Sequence, residues 1–133
     1  MMLPRLISAD SHITEPPETY RRHIDPAWRD RAPRMKYVEK LGDAFFVEGL
    51  PAPVPMGLVT AAGKPPSEIR MTGVRFEEMH RGGFDPEARM QDQERDGVAA
   101  EVIYPTVGMV ICNHPDFDFK KACFEAYNRW LAA

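Results

Sequence analysis

The chain has 133 residues, 13 of them proline, and a formal net charge of −3. That length fits one domain or a piece of a larger one, and the slightly acidic balance excludes the basic stripe of a nucleic-acid surface. No stretch reaches the roughly 18 unbroken apolar residues of a membrane span, since the best of them, Val102 to Cys112, contains Pro105.

The N-terminal Met1-Met2-Leu3-Pro4-Arg5 has neither the apolar core nor the small-residue cleavage site of a signal peptide. Leu6 to Asp10 reads as a short strand running into Ser11-His12. Glu15-Pro16-Pro17-Glu18 is a helix start, because proline and carboxylates suit a first turn. A short helix follows over Thr19–His23, and Asp25-Pro26 opens another over Ala27–Arg31. Met35–Lys40 and Ala44–Glu48 carry strand formers around Leu41-Gly42-Asp43, which predicts a β-hairpin. Residues 49–84 lack periodicity and read as a long loop.

Regular structure resumes at Asp85-Pro86, an N-cap followed by a first-turn proline, and a helix is expected to Asp96 with Gly97 as its C-cap. Val98 to Tyr104 is apolar and β-branched with one charge, the pattern of a strand covered on both faces. From Asp116 to Ala133, apolar residues recur at helical spacing, with Asp116 as cap. Strand, insertion, helix, strand, helix is the start of an α/β repeat. Two parallel strands do not complete a sheet, and the last helix ends without a capping residue, so the fold is expected to continue beyond residue 133. Cys112 and Cys123 form no disulfide framework or zinc pattern; both are expected as reduced core thiols of a cytoplasmic protein.

Asp10 and His12 are the leading candidates for chemistry. Alternate residues of a strand share a face, so a carboxylate and an imidazole project together near the strand's C-terminal end. Both ligate Zn²⁺, Mn²⁺ or Fe²⁺, although on spacing alone a turn cap beside a surface histidine is the favoured reading. Glu15 either orients a ligand or caps the next helix, and the cap is the favoured reading. Thr106, at the end of the second strand, and His114, in the loop beyond it, are candidate substrate contacts. Arg70, Arg75 and Arg81 can grip a carboxylate but fit a solvated loop better. His23 belongs to an exposed helix and His80 to the loop. Tyr104, Phe117, Phe124, Tyr127 and Trp130 are expected in the core.

The segment Ser8-Ala9-Asp10-Ser11-His12-Ile13-Thr14-Glu15-Pro16-Pro17 resembles the opening of the amidohydrolase superfamily, in particular the group of aminocarboxymuconate-semialdehyde decarboxylase-like metal-dependent enzymes. Asp85–Met90 through Val98 is similar to the first barrel helix, Ala100–Thr106 to the second barrel strand, and Ala126–Leu131 to the helix after it. The likeness covers most of the chain except about residues 36–80. It implies the first two strand–helix units of a TIM barrel, incomplete in this chain and carrying a hairpin-containing insertion. Residues 1–133 would then be the N-terminal part of one barrel domain.

By the same resemblance, Asp10 and His12 match the first metal-ligand pair. The oxygen ligand in place of a histidine tilts the metal from Zn²⁺ towards Mn²⁺ or Fe²⁺. The implied function is hydrolysis or non-oxidative decarboxylation of a small organic carboxylate or ring substrate. No nucleic-acid or membrane partner is implied, and a homo-oligomer is allowed for the complete enzyme. The remaining ligands and the general acid or base lie on later strands, so this chain alone is expected to be catalytically silent. The alternative is a small non-catalytic α/β interaction module derived from that family.

Overall fold

The computed structural model describes residues 6–133. The stretch Met1–Arg5, where the sequence shows no signal peptide, lies outside the described residues.

Strand β1 (Leu6–Ile13) pairs in parallel with β2 (Val98–Pro105). The helix α1 (Pro86–Asp96) precedes β2 in the chain, and both of its ends follow from sequence. The Asp85 carboxylate accepts the Ala88 N–H at 3.0 Å, and Gly97 closes the helix in the left-handed region at φ 71°. No residue of α1 is buried. Polar contacts dock it instead: Arg89 Nε and Gln93 Nε2 donate to Glu101 Oε2 on β2 at 2.6 and 2.8 Å. Ser11 of β1 donates to Glu101 Oε1 at 3.1 Å.

The β1–β2 register is irregular. Ser8 pairs with Glu101 and Ser11 with Ile103, so three steps on β1 oppose two on β2. This bulge places Ser8 and Ser11 on one face, their hydroxyls 2.7 Å apart.

The insertion carries the predicted hairpin. Strand β3 (Arg34–Val38) runs antiparallel to β4 (Gly42–Phe46), and the two-residue β5 (Val54–Pro55) adds to the far side of β4. The turn falls one or two residues earlier than Leu41-Gly42-Asp43. Lys40 takes the positive φ of 69°, while Gly42 and Asp43 already belong to β4. Gly42 faces the backbone of Val74, and a Cβ there would come within 2.4 Å of the Val74 carbonyl oxygen. Asp43 then ties the loop down: its N–H donates to Val74 O and its carboxylate accepts from Phe76 N–H, both at 2.8 Å.

Helix α2 (Thr19–His23) forms as expected, and Pro26–Arg31 is a 3-10 helix capped by Asp25. The long loop to residue 84 is a string of short 3-10 turns. Helix α4 (Phe117–Leu131) runs from the predicted Asp116 cap, whose carboxylate accepts the Phe119 N–H at 3.0 Å. The core gathers α2, the hairpin and α4 around Tyr20, Phe45, Met56, Ile111, Phe119 and Cys123.

Three expectations are corrected, and Val107–Ile111, to which the sequence assigns no element, forms a short helix, α3. The strand β2 is not covered on both faces: Val102, Ile103 and Tyr104 are exposed, and among the described residues α1 is the main element packed against the two-stranded sheet. Cys112 is exposed at the end of α3, and only Cys123 is a core thiol. Of the aromatic set, Phe124 and Tyr127 pack against the core, whereas Phe117 and Tyr104 are exposed; Phe119 takes the buried place on α4.

Candidate active site at the strand ends

Side chains of β1 sort by face according to the pairing. Ser11 and Ile103 share the α1 side, so His12 and Tyr104 share the other, with ring centroids 5.8 Å apart. Asp10 joins them there, its Oδ1 lying 3.2 Å from His12 Nε2. Both side chains are solvent-accessible, Asp10 at 79% and His12 at 46%. The structure therefore brings the predicted pair together on one face. Among the described residues, no group of three or more His, Cys, Asp or Glu side chains is placed to hold a metal ion. The donor set of nitrogen and oxygen suits a divalent ion, but as two ligands of a larger set.

Beyond His12 the chain enters a buried polar cluster. Glu15 is fully buried, and its carboxylate is the hub. Oε2 accepts the N–H groups of Thr106 and Val107 at 3.2 and 2.9 Å. Oε1 accepts the Gly108 N–H and the Tyr20 hydroxyl, both at 2.8 Å. Glu15 is thus a cap, but of α3, more than 90 residues along the chain, and not of the helix that follows it in sequence. Burial, the Glu15 charge and this hydrogen bond hold the Tyr20 phenol well above its ordinary pKa, so it remains a donor.

Thr106 is buried where β2 ends. Its hydroxyl donates to Ile13 O at 2.7 Å and lies 3.3 Å from the Thr14 hydroxyl. With its proton committed to Ile13, Thr106 offers a ligand only acceptor lone pairs. His114 is also buried, with Nε2 donating to Glu48 O at 2.7 Å and Nδ1 accepting the Asp116 N–H at 3.1 Å. Both ring nitrogens serve the backbone, and the ring packs on Phe119 at 4.7 Å. This is the arrangement of a neutral, structural imidazole that stitches the hairpin to α4.

The loop arginines are likewise engaged within the protein. Arg70 bonds Glu78 and Gly73 O, Arg75 lies 4.1 Å over the Tyr37 ring, and Arg81 pairs with Asp85. His23 bonds Thr19 O through Nδ1 at 2.9 Å.

A cleft of about 410 Å³ runs beside the strand ends and along α1. Its lining includes His12, Thr14 and Thr106 from the strand ends, and His80 from the loop. Sequence reasoning leaves His80 in the loop without a role. Nothing local signals its approach to α1, because the contact depends on how the 3-10 turns fold back.

No protein-family model matches the chain, and no curated protein matches it. Among solved structures, an amidohydrolase from Mycobacterium avium subsp. paratuberculosis is similar in fold, with a TM-score of 0.62 and 22% identity. The superposition covers 98% of this chain and 38% of that one. The chain therefore spans well under half the length of this structural relative. Its mixed α/β architecture, with one parallel pair and an antiparallel hairpin sheet, matches a portion of that fold.

Proposed function

We propose that the chain is part of a metal-dependent hydrolase of the amidohydrolase superfamily, in which Asp10 and His12 supply the first two ligands. The observation that carries this is the Asp10–His12 contact of 3.2 Å at the C-terminal half of a strand with a parallel neighbour. In α/β barrels that end of the strands is where sites are built. The similarity in fold to an amidohydrolase supports the same reading.

The substrate class is a small organic carboxylate or ring compound, cleaved by water or losing carbon dioxide without oxidation. A bound divalent ion supplies Lewis-acid polarisation and a more acidic water there. The chain's own part is positional. Asp10 and His12 present one oxygen and one nitrogen donor. Glu15 holds the end of β1 against the start of α3, and so fixes the strand ends on which the donors stand. Two ligands hold an ion weakly, so this chain alone binds metal without metal-dependent turnover; further ligands come from residues outside it.

The test is calorimetric titration of the chain with Mn²⁺ and with Zn²⁺. The expected result is weak 1:1 binding that falls about 10-fold or more in His12→Ala and in Asp10→Ala. Equal binding by the wild type and both variants would overturn the assignment. Assays with activated esters, lactones and hydroxybenzoates then separate hydrolysis from decarboxylation in any longer form of the protein.

A further inference from the structure

His80 Nε2 lies 2.6 Å from Asp92 Oδ2, joining the long loop to α1. The second carboxylate oxygen of Asp92 faces Arg95 at 3.2 Å. Asp92 is held below the usual carboxylate range chiefly by the bond from His80, so it is an anion facing an imidazole N–H. An imidazole that donates through Nε2 keeps a lone pair on Nδ1. That atom is turned towards Gly63, where an added Cβ would lie 3.7 Å away, and the His80 side chain is 42% exposed. Among the described residues Nδ1 has no hydrogen-bond partner.

The pair is built closely. A Cβ on Gly82 would come within 2.0 Å of Asp92 Oδ2, so only glycine lets the carboxylate reach the loop. The turn after His80 is pinned on two sides. Gly83 O accepts the Thr14 N–H at 2.8 Å, and Gly82 O accepts from Arg89 Nη1 at 3.0 Å. The imidazole is therefore fixed relative to the end of β1, and the same cleft holds His80, Asp92, Thr14 and Thr106. A carboxylate behind an oriented imidazole, with the other nitrogen unpaired on a residue that lines a cleft, is the arrangement of a general base.

We propose that His80 is the general base of this cleft, with Asp92 as its positioning residue, acting on small acyl esters or similar carbonyl substrates. In the step, Nδ1 takes a proton from water as the water oxygen bonds to the carbonyl carbon. The carbon–oxygen bond to the leaving alcohol or phenol then breaks, and the imidazolium proton passes to solvent. The inference rests on the strand-end cleft being the site, but the base needs no metal, which allows the two readings to be tested apart.

The experiment follows p-nitrophenolate release from p-nitrophenyl acetate in buffer treated with chelator, using the chain as it stands. The expected result is a second-order rate at least about 5-fold lower in His80→Gln, with His23→Gln within about 2-fold of the wild type, since base catalysis contributes on this scale and above. Equal rates in His80→Gln and the wild type, at matched urea midpoints, would overturn the proposal. Long-range nitrogen–proton NMR adds a signature that a merely structural role of Asp92 would leave unmoved. The wild type is expected to show the Nε2–H tautomer of His80. In Asp92→Asn an amide can donate to Nε2 and move the proton to Nδ1, and Asp92→Glu restores the wild-type pattern. An Nδ1–H tautomer in the wild type would also refute the assignment. Loss of metal binding in His12→Ala bears on the metal ligands alone and leaves these outcomes unchanged.

Discussion

Replacing Glu15 by glutamine removes one acceptor and one charge from a site that uses both oxygens. The four donors are the N–H groups of Thr106, Val107 and Gly108 and the Tyr20 hydroxyl. If the new amide nitrogen takes the Oε2 place, it confronts two backbone N–H groups with no acceptor. If it takes the Oε1 place, Tyr20 can turn its hydroxyl to accept, and only the Gly108 N–H is orphaned. The second arrangement is cheaper and sets the lower bound. An orphaned buried donor costs about 1–3 kcal/mol, and the bonds that remain lose the extra strength of a charged acceptor. The expected loss is about 3 kcal/mol, a large part of the 5–15 kcal/mol that holds a typical domain together. Tyr20→Phe takes away one donor and leaves three amides, so it is expected to cost about 1.5 kcal/mol. Urea unfolding followed by far-ultraviolet circular dichroism reads both. A Glu15→Gln loss below about 1 kcal/mol would show that the carboxylate is not the hub described.

Three other outcomes are expected. Gly49→Ala places a side chain at φ +86° with its Cβ 2.5 Å from His114 Nε2, so the unfolding free energy measured in urea falls by at least the roughly 1–2 kcal/mol of a left-handed non-glycine residue. For the two thiols, burial pushes Cys123 up to about 12 while Cys112 is exposed; titration with a disulfide reagent at neutral pH finds one fast thiol in the native chain and two in denaturant. At Glu101, burial alone would raise the carboxyl, and the bonds from Gln93, Arg89 and Ser11 outweigh it, leaving the pKa below its ordinary value. Its stabilisation is therefore complete above the unfolded pKa of about 4.3 and is lost as pH falls through the lower folded value. Glu101→Gln is less stable than the wild type at pH 7, and the gap measured by urea unfolding narrows below about pH 4.3; a gap constant from pH 7 to pH 3 would refute the reading.

Where local chemistry decides a structure, the sequence is a sound guide. Asp85, Gly97 and Asp116 mark helix ends because caps act within a turn. The hairpin and the Asp10–His12 face follow from the two-residue repeat of strands. Contacts across the chain are not legible in this way. Helix α3 is built from Val107, Val110 and Ile111, which favour strands; the carboxylate that satisfies its first amides lies on Glu15, far back in the chain. The exposure of Cys112, and the meeting of His80 with Asp92 across 12 residues, depend in the same manner on how the turns pack. His114 looks like a mouth residue by position, and is a structural tie because Glu48 and Asp116 converge on it from both sides.

The irregular step in β1 makes the identity of the exposed face a matter of counting. Ser8 and Ser11 both look towards α1 although they are three apart, so the parity of the strand changes between them. Had the strand kept its regular alternation from Ser8, Asp10 and His12 would face the Arg89–Glu101 pair, and the guanidinium, not open solvent, would be their neighbour. Closing the bulge at constant length would therefore turn the strand over, carrying the imidazole to the helix side and Ser11 to the opposite one, although every side chain concerned is still present. Deleting Ala9, by contrast, would take out the extra residue and leave Ser8 and Ser11 on the helix side and Asp10 and His12 on the other. For a protein built this way, the register of β1 against β2 is as much a part of the site as the aspartate and the histidine themselves.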